Sequence, residues 1–158
     1  MSDAQGQAFM RRAIALSREN VKRGGGPFGA VIVKAGEVVG EGFNRVTATN
    51  DPTAHAEVVA IRDACARLGT FSLAGCEIYT SCEPCPMCLS AIYWARLERI
   101  WFANTKVDAA AIAFDDHFIY DELAKPVERR AIPMTGMLRE EALAAFQDWQ
   151  ANASRVRY

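Results

Sequence analysis

Apolar residues recur at helical spacing over 8–22, where Phe9, Ala13, Leu16 and Val21 fall near one side and arginines lie on the other. This predicts an amphipathic first helix, closed by Gly24-Gly25-Gly26-Pro27. The runs 28–33 and 38–43 are rich in β-branched and aromatic residues and are joined by Lys34-Ala35-Gly36-Glu37, so they predict an antiparallel hairpin. A polar loop over 44–53 leads into 54–68, where Val58, Ile61, Ala64, Cys65 and Leu68 form a helical stripe that Gly69 stops. A short strand over 77–81, a second apolar helix over 85–96 and a strand over 99–103 follow. Beyond them the pattern weakens. Short helices are predicted over 108–114 and 118–123, a strand over 131–137 interrupted by Pro133, and a helix over 140–152 before the tail Arg155-Val156-Arg157-Tyr158. Strands alternating with helices after an antiparallel hairpin predict an α/β layered fold with a mixed sheet.

The composition fits one compact domain over 1–158, since 158 residues at 51% hydrophobic can bury a full core. No apolar run approaches the roughly eighteen residues of a membrane span, and the start MSDAQGQAF lacks a basic segment followed by an apolar core. A soluble cytoplasmic protein is expected. Lys and Arg total 18 against 19 Asp and Glu, a net charge of −1, which is no footprint for gripping long nucleic acid. A small substrate fits better. Of five cysteines, Cys82, Cys85 and Cys88 crowd together, which favours metal binding or redox chemistry over a disulfide framework.

The chemistry concentrates in His55-Ala56-Glu57 and Pro84-Cys85-Pro86-Met87-Cys88. Cys85 and Cys88, three apart, share a face at a helix start, and His55 at the start of another helix can supply a third ligand. Three protein ligands leave one tetrahedral position open, the catalytic rather than the structural zinc pattern; two thiolates and an imidazole favour Zn2+. Glu57 sits about 200° around an ideal helix from His55, so both serve one site only if the metal lies off the helix end. There Glu57 need not ligate and is free to move protons. The bland alternatives are a redox C-x-x-C pair or a four-ligand structural site completed by Cys82, a zinc-binding protein without turnover. The combination of H-x-E with P-C-x-x-C is the zinc deaminase signature.

With these motifs the chain resembles the cytidine and deoxycytidylate deaminase superfamily, and within it the bacterial guanine deaminase family. Further matching segments are Gly26-Pro27-Phe28-Gly29-Ala30, Gly42-Phe43-Asn44, Leu68-Gly69-Thr70-Phe71, the block from Tyr79 through Cys88, Ala91-Ile92-Tyr93-Trp94-Ala95-Arg96, Phe114-Asp115-Asp116, Phe118-Ile119-Tyr120 and the terminal Tyr158. The resemblance implies a three-layer α-β-α fold around a central mixed five-stranded sheet. It also implies a homodimer in which C-terminal segments can exchange, and hydrolysis of guanine to xanthine and ammonia. His55, Cys85 and Cys88 would hold zinc. Glu57 would shuttle protons between the attacking water and the purine, with Asp116 as a second acid; its plainer reading is a solvated loop carboxylate or a helix cap. Asn44 would read the purine edge, against a plain turn role, and Phe28 would stack on the base, against a core role. Ala56 would border the substrate. The tail 153–158 would close over the site, with Tyr158 as a lid. Ser81 and Cys82 would support the thiolates. Tyr93, Trp94, Trp101 and Trp149 are expected in the core or a dimer interface. One departure is Ala113, where the family pattern places glycine before Phe-Asp-Asp. Other amines that fit the same chemistry are cytosine, adenine, adenosine including that of tRNA, guanosine and ammeline.

Overall fold

The hairpin forms around Ala35 and Gly36, both at positive φ (50° and 84°), as in the primed two-residue turns that match strand twist. In the computed structural model, which describes residues 3–158, this turn joins β1 (Gly29–Lys34) to β2 (Glu37–Phe43). Helix α1 (Asp3–Lys22) precedes them and reaches further towards the N-terminus than its apolar stripe predicts. A short α2 (Val46–Thr49) lies within the expected loop, and α3 (Ala56–Leu68) follows. Then come β3 (Cys76–Cys82), α4 (Pro86–Trp94), β4 (Arg99–Asn104), α5 (Lys106–Ala111), α6 (His117–Ala124), a 3-10 turn (Val127–Arg129) and α7 (Arg139–Ala151).

The sheet runs β2-β1-β3-β4, with β1 antiparallel to β2 and β3, and β3 parallel to β4. It is mixed as predicted but has four strands among the described residues, not five. Residues 131–137 form no strand: they are exposed, and Pro133 has no N–H to give a ladder.

Strand alternation splits the core into two layers. Val31, Val33 and Tyr79 pack with Ala13 and Leu16 of α1 on one face. On the other, Ala30, Ile32 and Ile78 pack with Ala56, Ala60 and Ala64 of α3 and Ile92 of α4. The α3 alanines, spaced by four, meet the glycines of β2. A Cβ at Gly40 would lie 2.6 Å from Ala64 Cβ, and one at Gly42 2.5 Å from the Ala60 nitrogen. Small residues on both sides let the helix axis approach the sheet, and that approach fixes where the start of α3 points.

The chain divides into two compact units, one ending at Asp116 and the other His117–Tyr158. Every buried side chain belongs to the first; no residue of the second is buried. The exposure of Tyr93, Trp94, Trp101 and Trp149 removes the core alternative for these aromatics. Among the described residues, no helix is long and apolar enough to cross a membrane.

Candidate active site

Both motif helices start one residue after a candidate ligand. His55 is the N-cap of α3, at φ −68° and ψ 157°, and Cys85 is the N-cap of α4, at φ −66° and ψ 167°, followed by Pro86 at the first helical position. Proline suits that position because its missing N–H would have no intrahelical partner. Neither cap side chain bonds to its own helix. Because His55 stands outside the helix in extended backbone, the angular conflict with Glu57 disappears: the imidazole leaves the helix end while Glu57 projects from the first turn.

The His55 Nδ1 atom lies 3.6 Å from Cys85 Sγ and 3.4 Å from Cys88 Sγ. The three ligand atoms all fall within 4.8 Å of one another. Tetrahedral zinc with ordinary Zn–S and Zn–N bonds needs N···S separations of about 3.6 Å. The three residues therefore fit a zinc ion, and this soft sulfur and nitrogen set suits it chemically.

The Cys88 thiol bonds to Cys85 and, with the bond from His55, holds Cys85 down at about 4; the same contact and burial push Cys88 up. The bond to Cys85 likewise raises His55. Glu57 is only 7% exposed, and burial pushes its carboxyl above the ordinary range. Glu57 and Cys88 shift each other's protonation, so Glu57 lies beside the same cluster without being one of the three converging ligands.

Cys82 does not complete a four-ligand set. Its Sγ donates to the Thr105 carbonyl at 3.7 Å, and burial pushes the thiol up to about 11. A protonated thiol turned to a carbonyl is a poor metal ligand, which removes the observation on which a structural-zinc reading would rest. Ser81 and Cys82 also differ from their expected role of supporting the thiolates. Ser81 Oγ instead accepts the Gly29 N–H at 3.0 Å, which tethers the start of β1 to the end of β3.

Asn44 is 8% exposed at the end of β2. Its Oδ1 accepts the Val46 N–H at 3.2 Å, the turn role, which leaves the Nδ2 amide and a second lone pair. The Asn44 N–H donates to the Phe28 carbonyl at 3.1 Å, so these two residues sit side by side. Phe28 is half-buried, and its ring meets Phe114 edge-on, centroids 5.0 Å apart. The sequence reading missed Phe114; its place one residue before Asp115-Asp116 was the signal available.

Phe114 is aimed by the end of α5. The Phe114 N–H donates to the Ala109 carbonyl and the Ala113 N–H to the Ala110 carbonyl, each at 3.0 Å, with Ala113 at φ 70°. This is the Schellman arrangement whose left-handed residue is usually glycine, the residue that the family pattern has at this place. Asp116 follows, half-buried; burial and the field of Cys85 raise its carboxyl, so it stands within electrostatic reach of the cluster. Ala56 is fully buried in the core, which leaves its backbone N–H, at the first position of α3, as its polar group. Tyr158 lies in the second unit, 75% exposed.

Residues 3–104 match the family model described as the cytidine and deoxycytidylate deaminase zinc-binding region. Guanine deaminase of Bacillus subtilis (strain 168) is 54% identical over 153 residues, covering 96% of this chain and 98% of that protein. A solved structure of the Bacillus subtilis guanine deaminase matches with a TM-score of 0.94 at 52% identity, over 100% of this chain and 99% of that one. A solved structure of guanine deaminase from Nitrosomonas europaea matches with a TM-score of 0.67 at 32% identity, over 92% and 84%. A tRNA-specific adenosine deaminase of Aquifex aeolicus (strain VF5) is 43% identical over 95 residues, 60% of this chain and 63% of that protein.

Proposed function

The chain belongs to the cytidine and deoxycytidylate deaminase family, and from that premise we propose that it is a zinc-dependent hydrolytic deaminase converting guanine and water to xanthine and ammonia. One observation carries the chemistry: His55, Cys85 and Cys88 converge beside a buried Glu57. The choice of a free purine rests on the full-length likeness to a guanine deaminase, where the likeness to a tRNA-specific enzyme spans 60% of the chain.

Zinc held by His55, Cys85 and Cys88 would supply the Lewis acidity that acidifies water at neutral pH. Glu57 accepts a proton from the attacking water as the water oxygen bonds to C2 of guanine, and passes that proton to ring N3. The C2–N2 bond then breaks as the new C2 hydroxyl gives up its proton to become the xanthine carbonyl and the amine gains one to leave as ammonia. Burial raises the affinity of Glu57 for protons, which suits it to hold the proton between the two transfers. Asp116 is the second acid for the amine, supported by its own raised affinity for protons. Asn44 offers its amide to the purine edge and Phe28 a ring face for stacking, while Ala56 presents its N–H. Tyr158 and the tail 153–158 act as a lid that keeps bulk water out.

The second unit has helices but no buried residue, and Phe146, Met137 and Ile132 are 74%, 78% and 79% exposed. A homodimer in which these apolar side chains are covered by a second copy accounts for that exposure. The five cysteines are free, the state that a reducing cytoplasm maintains.

The test is ammonia release by the zinc-loaded protein over guanine, guanosine, adenine, adenosine, cytosine, cytidine and ammeline, with Glu57→Gln as control. Guanine should be turned over by the parent and not by the control. Turnover of another amine alone would overturn the substrate; zinc binding with no turnover of any would return the structural-zinc reading.

A further inference from the structure

The base-facing residues Phe28 and Asn44 are held by a side chain that the chemistry does not use. Asn20, in the last turn of α1 and 5% exposed, donates its Nδ2 amide to the Gly26 carbonyl and the Asn44 carbonyl, each at 2.8 Å. Both amide hydrogens are thereby engaged. The Gly26 carbonyl also accepts the Phe28 N–H at 2.9 Å, and the Phe28 carbonyl accepts the Asn44 N–H at 3.1 Å. These four bonds close a ring that runs from Asn20 to Gly26, Phe28, Asn44 and back. The Gly25 N–H donates to the Asn20 carbonyl at 2.9 Å, and Ser17 Oγ reaches the neighbouring Pro27 carbonyl at 2.9 Å.

We infer that Asn20 is a positioning residue for the base pocket: its amide sets the place of Asn44 relative to Phe28, and hence how tightly the heterocycle is held. This rests on the reading that those two residues face the base. The Asn20 amide bonds to backbone carbonyls beside Phe28 and Asn44, not to His55, Glu57, Cys85 or Cys88, so it acts on binding rather than on proton transfer. Gly25 supplies an independent handle, since a Cβ there would lie 2.7 Å from Asn20 Cγ and push the amide off its two carbonyls.

The test uses the zinc-loaded full-length protein. KM and kcat are read on whichever amine of the panel turns over fastest, and Kd for guanine is read by calorimetry in the Glu57→Gln background. Asn20→Asp keeps the volume but faces two carbonyls with a carboxylate; it should raise KM and Kd about tenfold and change kcat less than about threefold. Gly25→Ala should raise KM in the parent and add nothing to Asn20→Asp, because both act through one amide. Ser17→Ala, which loses a bond to Pro27 alone, should lower Tm while KM stays within about twofold. Asn20→Asp that lowers Tm as Ser17→Ala does with KM and Kd unmoved would overturn the inference, as would additive effects of Asn20→Asp and Gly25→Ala. If the parent neither binds guanine nor turns over any amine, the functional reading fails first and the inference falls with it.

Discussion

The two compact units solve the packing problem differently. The unit ending at Asp116 buries apolar side chains on both faces of its sheet and carries every residue of the His55, Cys85, Cys88 and Glu57 cluster. The unit His117–Tyr158 has helices of ordinary length yet no buried side chain. A helix of that kind draws little stability from propensity alone and depends on what covers its apolar face. The difference separates a first unit that its own packing rigidifies from a second unit whose helices bury none of their side chains.

The sharpest attempt to break this division is at Glu57. If chemistry resides in the first unit, Glu57→Gln should lower kcat about 10³-fold with zinc content, measured by atomic emission, unchanged. Residual activity near the parent's would move proton transfer to another group: Asp116 would keep it in the first unit, and any group beyond Asp116 would break the division. The next effect is on stability. Ile78 is fully buried, and Ile78→Ala should cost about 3 kcal/mol in denaturant unfolding at any protein concentration. Phe146→Ala in the second unit should cost below about 0.5 kcal/mol for an isolated chain, and its cost should grow with protein concentration where a second copy covers that helix. Equal, concentration-independent losses at both positions would erase the distinction.

Smaller effects sharpen the boundary between the units. Ala113→Gly relieves a left-handed alanine and should raise stability by about 0.5 kcal/mol, seen as a higher Tm. On the sheet edge, Arg12 grips Glu41 with two bonds of 2.7 Å, and these hold the Glu41 carboxyl below its ordinary range. A lowered carboxyl stabilises the fold above its unfolded value, about 4.3, and the contribution is lost as pH falls through the folded value. Arg12→Ala should therefore cost about 0.5 kcal/mol near neutrality and nothing in acid, compared by urea unfolding at the two pH values.

The same division explains what could be read from the sequence. Within the first unit each residue faces a definite neighbour, so period and partner agree. The β-rich run over 28–33 marks β1, and the stripe through Val58, Ile61, Ala64, Cys65 and Leu68 marks α3, of which Ala64 is the fully buried member. The ligands and Glu57 were legible from motif spacing, but their mutual geometry was not, because it depends on His55 being extended rather than helical. The partner of Cys82 is set by where Thr105 lies, and no local pattern records that. In the second unit no packing constrains the pattern. Residues 131–137 look like a weak strand in sequence, the fifth that the resemblance also implies, and pair with no strand of the sheet.

His55 and Cys85 occupy the two positions where a helix most wants Ser, Thr, Asp or Asn, and neither gives its helix a side-chain bond. A descendant released from selection for turnover would gain about 1 kcal/mol at each helix by reverting to a capping residue. Decay of this activity should thus run downhill in folding free energy, and a chain that keeps imidazole and thiol at both helix starts is one in which selection has held function against stability.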